Sequence, residues 1–288
     1  MLTVSGHIAM AICVICWSTS GIFIQCIDWH PLVISCIRSA VAALFMLAVQ
    51  GKRMFADSSW KTGMHRVYGV PTLLTASLAS GATKILYVTA NKLTSPANAI
   101  LLQHSAPIWT ALLGWFLLGE TLRKTQWITL GMGIIGIILF LCDGIAYGGI
   151  LGDGVALLCG VTFAMSMVFL RMQKEGSPAL ALFFSHLIPV AIGLPFLFAY
   201  PPEWTFQNAG SIIFLGLIQI GVASLLYAYA IKRIKTLETM LVAQIEPVLN
   251  PVWVFIFSGE SPSFFAFLGG GIIITAVLIS AVQKKDIT

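Results

Sequence analysis

Long apolar runs alternate with short polar segments along the whole chain. Each run is continuously apolar over about the 20 residues that a helix needs to cross a bilayer, whereas the strands of a membrane barrel alternate apolar and polar positions over about ten. Ten such runs lie at 7–26, 31–50, 67–90, 96–118, 124–142, 151–171, 179–199, 209–231, 237–257 and 263–282. The pattern predicts ten transmembrane helices.

The composition agrees with this interpretation. Of the 288 residues, 58% are hydrophobic and 9% are charged, whereas soluble domains average about 25% charged residues. A disordered chain would be poor in apolar residues. The sequence therefore predicts an all-α polytopic membrane protein.

The cationic residues outside the apolar runs lie almost entirely on one side of the predicted membrane. Lys92 alone belongs to the opposite side. Because Lys and Arg accumulate in cytoplasmic loops, both termini are expected in the cytoplasm and the protein in the inner (cytoplasmic) membrane. The net charge of +5 then needs no nucleic-acid partner. The thirteen residues on the cytoplasmic side are Lys52, Arg53, Lys61, Arg66, Arg123, Lys124, Arg171, Lys174, Lys232, Arg233, Lys235, Lys284 and Lys285.

Motifs for cofactors, metals and catalysis are missing or stand in the wrong context. Gly131, Gly133 and Gly136 spell G-x-G-x-x-G inside an apolar run, whereas a dinucleotide site needs a preceding strand. All six cysteines lie in or beside apolar runs, where they are expected to pack rather than to bind metal. We therefore predict no cofactor, no metal site and no enzyme.

The two halves of the chain resemble each other. A shift of 140 residues superposes Tyr87, Ala90, Lys92, Pro107, Gly119, Glu120 and Gly131 on Tyr227, Ala230, Lys232, Pro247, Gly259, Glu260 and Gly271. The predicted units are 1–145 and 146–288, with five spans each. Because five is odd, the second unit enters the membrane in the opposite direction. Such inverted repeats can exchange conformations around a midplane site, which favours a transporter that works by alternating access.

Ionisable side chains inside the membrane are costly and are functional candidates. The chain places Arg38, Lys84, His104, His186 and Glu246 in its apolar runs. The cations outnumber the single carboxylate, so a substrate carboxylate is expected at Lys84 or Arg38. Glu246 could instead pair with a cation, carry a proton or bind an amine.

Other polar positions surround these residues. Ser77, Ser80, Lys84, Tyr87 and Asn91 recur at helical spacing and form one polar face; Thr239, Glu246, Asn250 and Trp253 form a second. Pro107 and Pro247 interrupt helical hydrogen bonding at matching positions and are candidate hinges. His186 is expected to make an ordinary hydrogen bond between helices.

Residues of the first, second and fourth apolar runs resemble those of a known transporter family. Trp17-Ser18-Thr19-Ser20-Gly21, Arg38 with its alanine-rich continuation, and "ANKLTSPANAILLQHSAPIWTALLGWFLLGE" are similar to EamA-type members of the drug/metabolite transporter superfamily; "LLYAYAIKRIKTLETMLVAQIEPVLNPVWVFIFSGE" repeats the last pattern more loosely. The resemblance implies ten helices in two inverted five-helix repeats around a central cavity, and export of amino acids or related metabolites. Carried onto this chain, it implies substrate contacts from Trp17, Lys84, Tyr87, Gln103, His104, Tyr227, Gln244 and Glu246, with Arg38 and Asn250 as structural or charge partners.

The expected function is export of a small carboxylate-bearing metabolite by a secondary transporter. Proton coupling through His104 or Glu246 is a further hypothesis, and the chain is compatible with a monomer or a homodimer. Alternatives are an exporter of cationic amines or drugs centred on Glu246, an intramembrane enzyme, and a channel.

Overall fold

The structure is a computed structural model. It describes residues 5–56, 70–106, 108–110, 112–113, 127–128, 131–132, 134–136, 138–139, 149–173, 176–234, 242–243, 245–259 and 263–283, and all regular structure in these ranges is helical. The helices are α1 (Gly6–Ser18), α2 (Ser20–Gln25), α3 (Pro31–Ala56), α4 (Val70–Leu93), α5 (Pro96–Gln103), α6 (Ile150–Met172), α7 (Pro178–Ala199), α8 (Phe206–Phe214), a π-helical segment (Leu215–Val222), α9 (Ala223–Ala230), α10 (Glu246–Ser258) and α11 (Phe264–Gln283).

Several helices begin at residues that suit a helix start. The side chains of Ser95 and Thr205 accept hydrogen bonds from the backbone N–H groups of Asn98 and Asn208, at the beginnings of α5 and α8. Such caps satisfy backbone donors that have no partner within the helix. Pro178 opens α7, where the missing N–H of proline costs nothing.

Six helical stretches in the described ranges are long and apolar enough to cross a membrane. They are Gly6–Gln25, Pro31–Phe55, Pro71–Leu93, Ile150–Met172, Pro178–Ala199 and Phe206–Ala230. They coincide with the first, second, third, sixth, seventh and eighth apolar runs of the sequence. Three of the other four predicted runs include residues outside the described ranges, and the tenth run, 263–282, coincides with α11 (Phe264–Gln283). The protein is thus a multi-pass membrane protein whose regular structure, in the described ranges, is helical.

The eighth run contains the π-helical segment Leu215–Val222. The segment packs closely on α3: a Cβ added to Gly216 would lie 2.5 Å from the Cβ of Val41 and 2.9 Å from the carbonyl oxygen of Arg38. Only a residue without a side chain permits this approach. The contact brings Gln219, on the π-helical segment, next to Arg38.

Helix α6 packs along α4, and α7 packs along both α3 and α4. The two helices pack tightly at Gly152 of α6, where an added Cβ would lie 2.5 Å from the carbonyl carbon of Leu93 and 2.7 Å from its oxygen. Backbone atoms cannot move aside as a flexible side chain can. A glycine at 152 therefore sets the spacing between these helices.

Gly152→Ala is expected to destabilise the protein by about 1–3 kcal/mol through overpacking. Gly154→Ala is the matched control, because Gly154 lies on the same helix with nothing within 4 Å of an added Cβ. There alanine should stabilise by about 0.5–1 kcal/mol, since glycine is the poorer helix former. Thermal unfolding of the detergent-purified variants checks both signs. Equal melting temperatures for the two variants would contradict the described packing.

Candidate functional site

A cavity lined by both polar and apolar side chains lies among α1, α3, α4, α5, α6, α7, the π-helical segment, α9 and α10. Together with the open space at its mouth, it contains about 720 Å³. Its walls are formed by Trp17, Arg38, Ser80, Thr83, Lys84, Tyr87, Gln103, Phe163, Ser166, Met167, Leu170, Leu182, Gln219, Ile220, Ser224, Tyr227 and Glu246.

Arg38 is the cation of the cavity wall contributed by α3, and only 1% of the residue is exposed. Its Nη2 donates to the backbone oxygen of Lys84 at 2.9 Å, and its Nη1 donates to Oε1 of Gln219 at 3.5 Å. Its Nε is buried without a partner. No carboxylate in the described ranges lies within ion-pair distance of this guanidinium.

Lys84 is the cation contributed by α4. Its Nζ donates to Oγ of Ser80 at 2.8 Å, to the backbone oxygen of Ser80 at 3.3 Å and to Oγ of Ser185 at 2.7 Å. Ser80 lies one turn earlier on the same helix, whereas Ser185 belongs to α7. Within the described part of the chain, Lys84 also has no carboxylate partner.

The acidic part of the wall is Glu246, at the start of α10. Its Oε2 lies 3.3 Å from Nε2 of His104, and both residues are buried, with 4% and 2% of their surfaces exposed. His104 caps the end of α5 and contacts Glu246 without being part of the cavity wall. Glu246, which the sequence predicted as a possible partner for a cation, contacts His104 instead.

Three buried polar residues form a cluster beside the cavity, the Tyr87 cluster, made of Ser20, Tyr87 and Asn250. The hydroxyls of Ser20 and Tyr87 are 2.7 Å apart, and Nδ2 of Asn250 donates to each at 3.3 Å. Nε1 of Trp253 donates to Oγ of Ser18 nearby. These contacts join α1, α2 and α4 to α10.

Aromatic and amide side chains complete the predicted set. The rings of Trp17 and Tyr227 contact each other with centroids 5.4 Å apart. Oε1 of Gln103 accepts from Sγ of Cys159 at 3.3 Å. His186 forms the expected interhelical hydrogen bond, with its Nε2 3.1 Å from Oγ of Ser224.

Most of the residues predicted to contact a substrate thus meet in one place. Trp17, Lys84, Tyr87, Gln103, Tyr227 and Glu246 line the cavity, and His104 contacts its wall. Arg38, predicted as a structural or charge partner, also lines it, and Asn250 belongs to the Tyr87 cluster. Gln244 and Pro107 lie outside the described residues. Pro247 lies in the first turn of α10, a position that tolerates proline.

Gln219 and Ser185, which contact the two cations, were not among the residues predicted from the sequence. Gln219 could have been noticed as an amide inside a long apolar stretch. Ser185 carries no such signal. Cys13, Cys16, Cys26, Cys36 and Cys159 are free thiols, Cys142 lies outside the described ranges, and no group of residues in those ranges could hold a metal ion.

Comparison with known proteins identifies the family. The EamA-like transporter family matches residues 4–142 and 150–282. The chain belongs to this family. A relative named "Uncharacterized transporter" from Archaeoglobus fulgidus is 27% identical over 213 residues, which cover 73% of this chain and 76% of the relative. "Uncharacterized transporter YwfM" of Bacillus subtilis is 25% identical over 254 residues, 85% of each chain.

The fold of this EamA-like transporter also matches a solved structure. A protein crystal structure superposes with a TM-score of 0.66 at 19% identity, over 98% of both chains. The family and the relatives named as transporters point to a membrane transporter, not an enzyme.

Proposed function

We propose that this transporter moves small carboxylate-bearing metabolites, such as amino acids, outward across the inner membrane by alternating access. The observation that carries the proposal is the pair of cations in the cavity wall. Arg38 and Lys84 line the cavity, and no carboxylate in the described ranges pairs with either. A buried charge without a counter-charge is expensive, so a substrate carboxylate would supply what the protein lacks.

Alternating access is supported by the twofold match to the family, at residues 4–142 and 150–282. Under the proposal, 1–145 and 146–288 are five-helix units of opposite orientation, ten helices in all, and they rock around the cavity. The distribution of Lys and Arg supports cytoplasmic termini. A monomer and a homodimer are both compatible with this arrangement.

Proton coupling is a second element of the proposal, and it rests on the contact between His104 and Glu246. A buried histidine and carboxylate in contact can exchange or share a proton as the cavity opens to either side. The amine-exporter alternative would need Glu246 to bind the substrate directly. Its existing contact with His104 favours the carboxylate proposal.

Counterflow in proteoliposomes tests the proposal. Liposomes loaded with one unlabelled compound from a panel of the standard amino acids, simple organic acids and primary amines are diluted into the labelled compound. We expect saturable counterflow for compounds that carry a carboxylate and none for their carboxamides. Counterflow of amines alone would move the substrate site to Glu246. Flux that neither saturates nor shows counterflow would indicate a channel. Rates that ignore an imposed proton gradient would refute proton coupling.

A further inference from the structure

The two cations of the cavity differ in how many of their donors are already used. A lysine ammonium has three N–H donors. Those of Lys84 have three acceptors: two oxygens of Ser80 and the hydroxyl of Ser185, at 2.7–3.3 Å. A substrate carboxylate could reach this ammonium only by displacing contacts that the protein makes for itself.

Arg38, in contrast, has N–H donors that no protein acceptor uses. A guanidinium has five N–H donors in a planar fork, and the structure gives Arg38 acceptors for two of them, Lys84 and Gln219. The contact to Gln219, at 3.5 Å, is at the limit of a hydrogen bond. Nε has no partner. Three of its five N–H donors, including Nε, thus have no protein acceptor, and a carboxylate can accept two hydrogen bonds from one guanidinium.

Contacts on both sides fix the position of the Arg38 guanidinium in the cavity wall. Its Nη2 is bound to the backbone oxygen of Lys84 on α4. On its other side, Gly216 brings the π-helical segment close to α3, which places Gln219 within reach of Nη1. An arginine fixed in this way loses little additional freedom when a carboxylate binds.

Lys84 has a different geometry, suited to holding helices together. Its side chain crosses from α4 to Ser185 on α7, and its own carbonyl is the acceptor that holds Arg38. A shift of α4 relative to α7 would move the anchor of Arg38.

From these contacts we infer that Arg38 binds the carboxylate of the transported molecule, whereas Lys84 is a positioning residue that fixes α4 to α7. This assignment rests on the proposed function and exchanges the roles that the sequence suggested for the two cations. It also makes Arg38 the residue that distinguishes a carboxylate from its amide.

Thermal stabilisation of the detergent-purified, full-length chain tests the assignment. The probes are the twenty standard amino acids and, for each that stabilises wild type, its α-carboxamide. A ligand that binds only the folded state stabilises it by RT ln(1 + [L]/Kd), so the ligand concentration needed for a given rise in melting temperature reports the Kd. The variants are Arg38→Lys, Arg38→Gln, Lys84→Gln and Ser185→Ala, with Arg53→Gln, an exposed position at the end of the same helix, as the matched control.

We expect the carboxamides not to stabilise wild type. In Arg38→Lys, which keeps the charge but loses the planar fork, the ligand concentration needed for a fixed rise in melting temperature should increase at least about tenfold, the scale of a charge-assisted hydrogen bond. Lys84→Gln and Ser185→Ala should both melt earlier without ligand and should keep that concentration within about threefold. Arg53→Gln should behave as wild type.

Loss of the ligand shift in Lys84→Gln, with retention in Arg38→Lys and Ser185→Ala, would overturn the assignment and leave the proposed function intact. If no carboxylate stabilises wild type, the proposed substrate class fails, and the carboxylate role of Arg38 fails with it. The positioning role of Lys84 is then judged on the ligand-free proteins. The double variant Lys84→Gln/Ser185→Ala should be destabilised by less than the sum of the two single variants, because both substitutions remove the same contact. Full additivity of the two effects would refute the positioning role.

Discussion

Glu246→Gln is expected to slow counterflow by about a hundredfold or more. Glu246 and His104 form a buried hydrogen bond, and leaving a buried polar group without its partner costs about 1–3 kcal/mol, up to about a hundredfold in a rate. This cost arises at the cavity, because Glu246 is part of its wall. Under the proposed proton coupling, the variant also loses the group that exchanges a proton. Initial counterflow rates in proteoliposomes, normalised to the amount of folded protein, measure the effect.

The matched control is Glu203→Gln. Glu203 is exposed, and the two contacts through which it holds Trp29 and Asn208 use its backbone oxygen. This variant should keep the wild-type rate. His104→Gln should impair counterflow as Glu246→Gln does, and the double variant should be little worse than either single one, because the pair acts as a unit. A wild-type rate in Glu246→Gln would exclude the pair from the transport cycle.

A disulfide between Ser20→Cys and Asn250→Cys is expected to abolish counterflow, and a reductant should restore it. The Tyr87 cluster joins α2 and α4 of the first proposed unit to α10 of the second. Tyr87 lies about one turn beyond Lys84, and Asn250 lies one turn beyond Glu246. In the proposed topology α4 and α10 run outward, so the cluster lies on the outer side of the charged residues. Opening the cavity outward would require these contacts to separate.

Each single cysteine variant, treated with the same oxidant, is the control and should continue to transport. Loss of reactive thiols on oxidation verifies that the bond has formed. Wild-type counterflow in the linked protein would show that the cluster stays closed throughout the cycle, and the proposed motion would then have to occur elsewhere.

The sequence was most informative where helical periodicity and hydrophobicity act alone. The spacing of Ser80, Lys84 and Tyr87 predicted one polar face, and all three line the cavity. The apolar runs marked the described spans because the bilayer selects for length and hydrophobicity. Both signals depend on neighbours within one helix, which the sequence shows directly.

Contacts between residues on different helices were much harder to predict from the sequence. Ser185 is 101 residues from Lys84, and no local pattern distinguishes it from other serines in apolar runs. The acceptor for Arg38 on α4 is a backbone oxygen, which every residue has. The choice of His104 as partner of Glu246 depended on how α5 and α10 pack, and charge counting alone left that choice open.

The π-helical segment changes how the helical stretch Phe206–Ala230 aligns with α4, to which the repeat pattern matches it. A π-helix bonds each residue to the fifth one along rather than the fourth, so it behaves as an α-helix into which extra chain has been inserted. Deleting one residue between 215 and 222 would let the backbone close towards α-helical geometry and would largely preserve the orientation of Phe206–Phe214 relative to Ala223–Ala230, whereas the same deletion in a regular α-helix would turn the two parts by about 100°. Asn208 and Ser211, both buried, would then keep their packed positions. An ungapped alignment of this helix with α4, which is α-helical throughout Val70–Leu93, can therefore be correct on only one side of the segment.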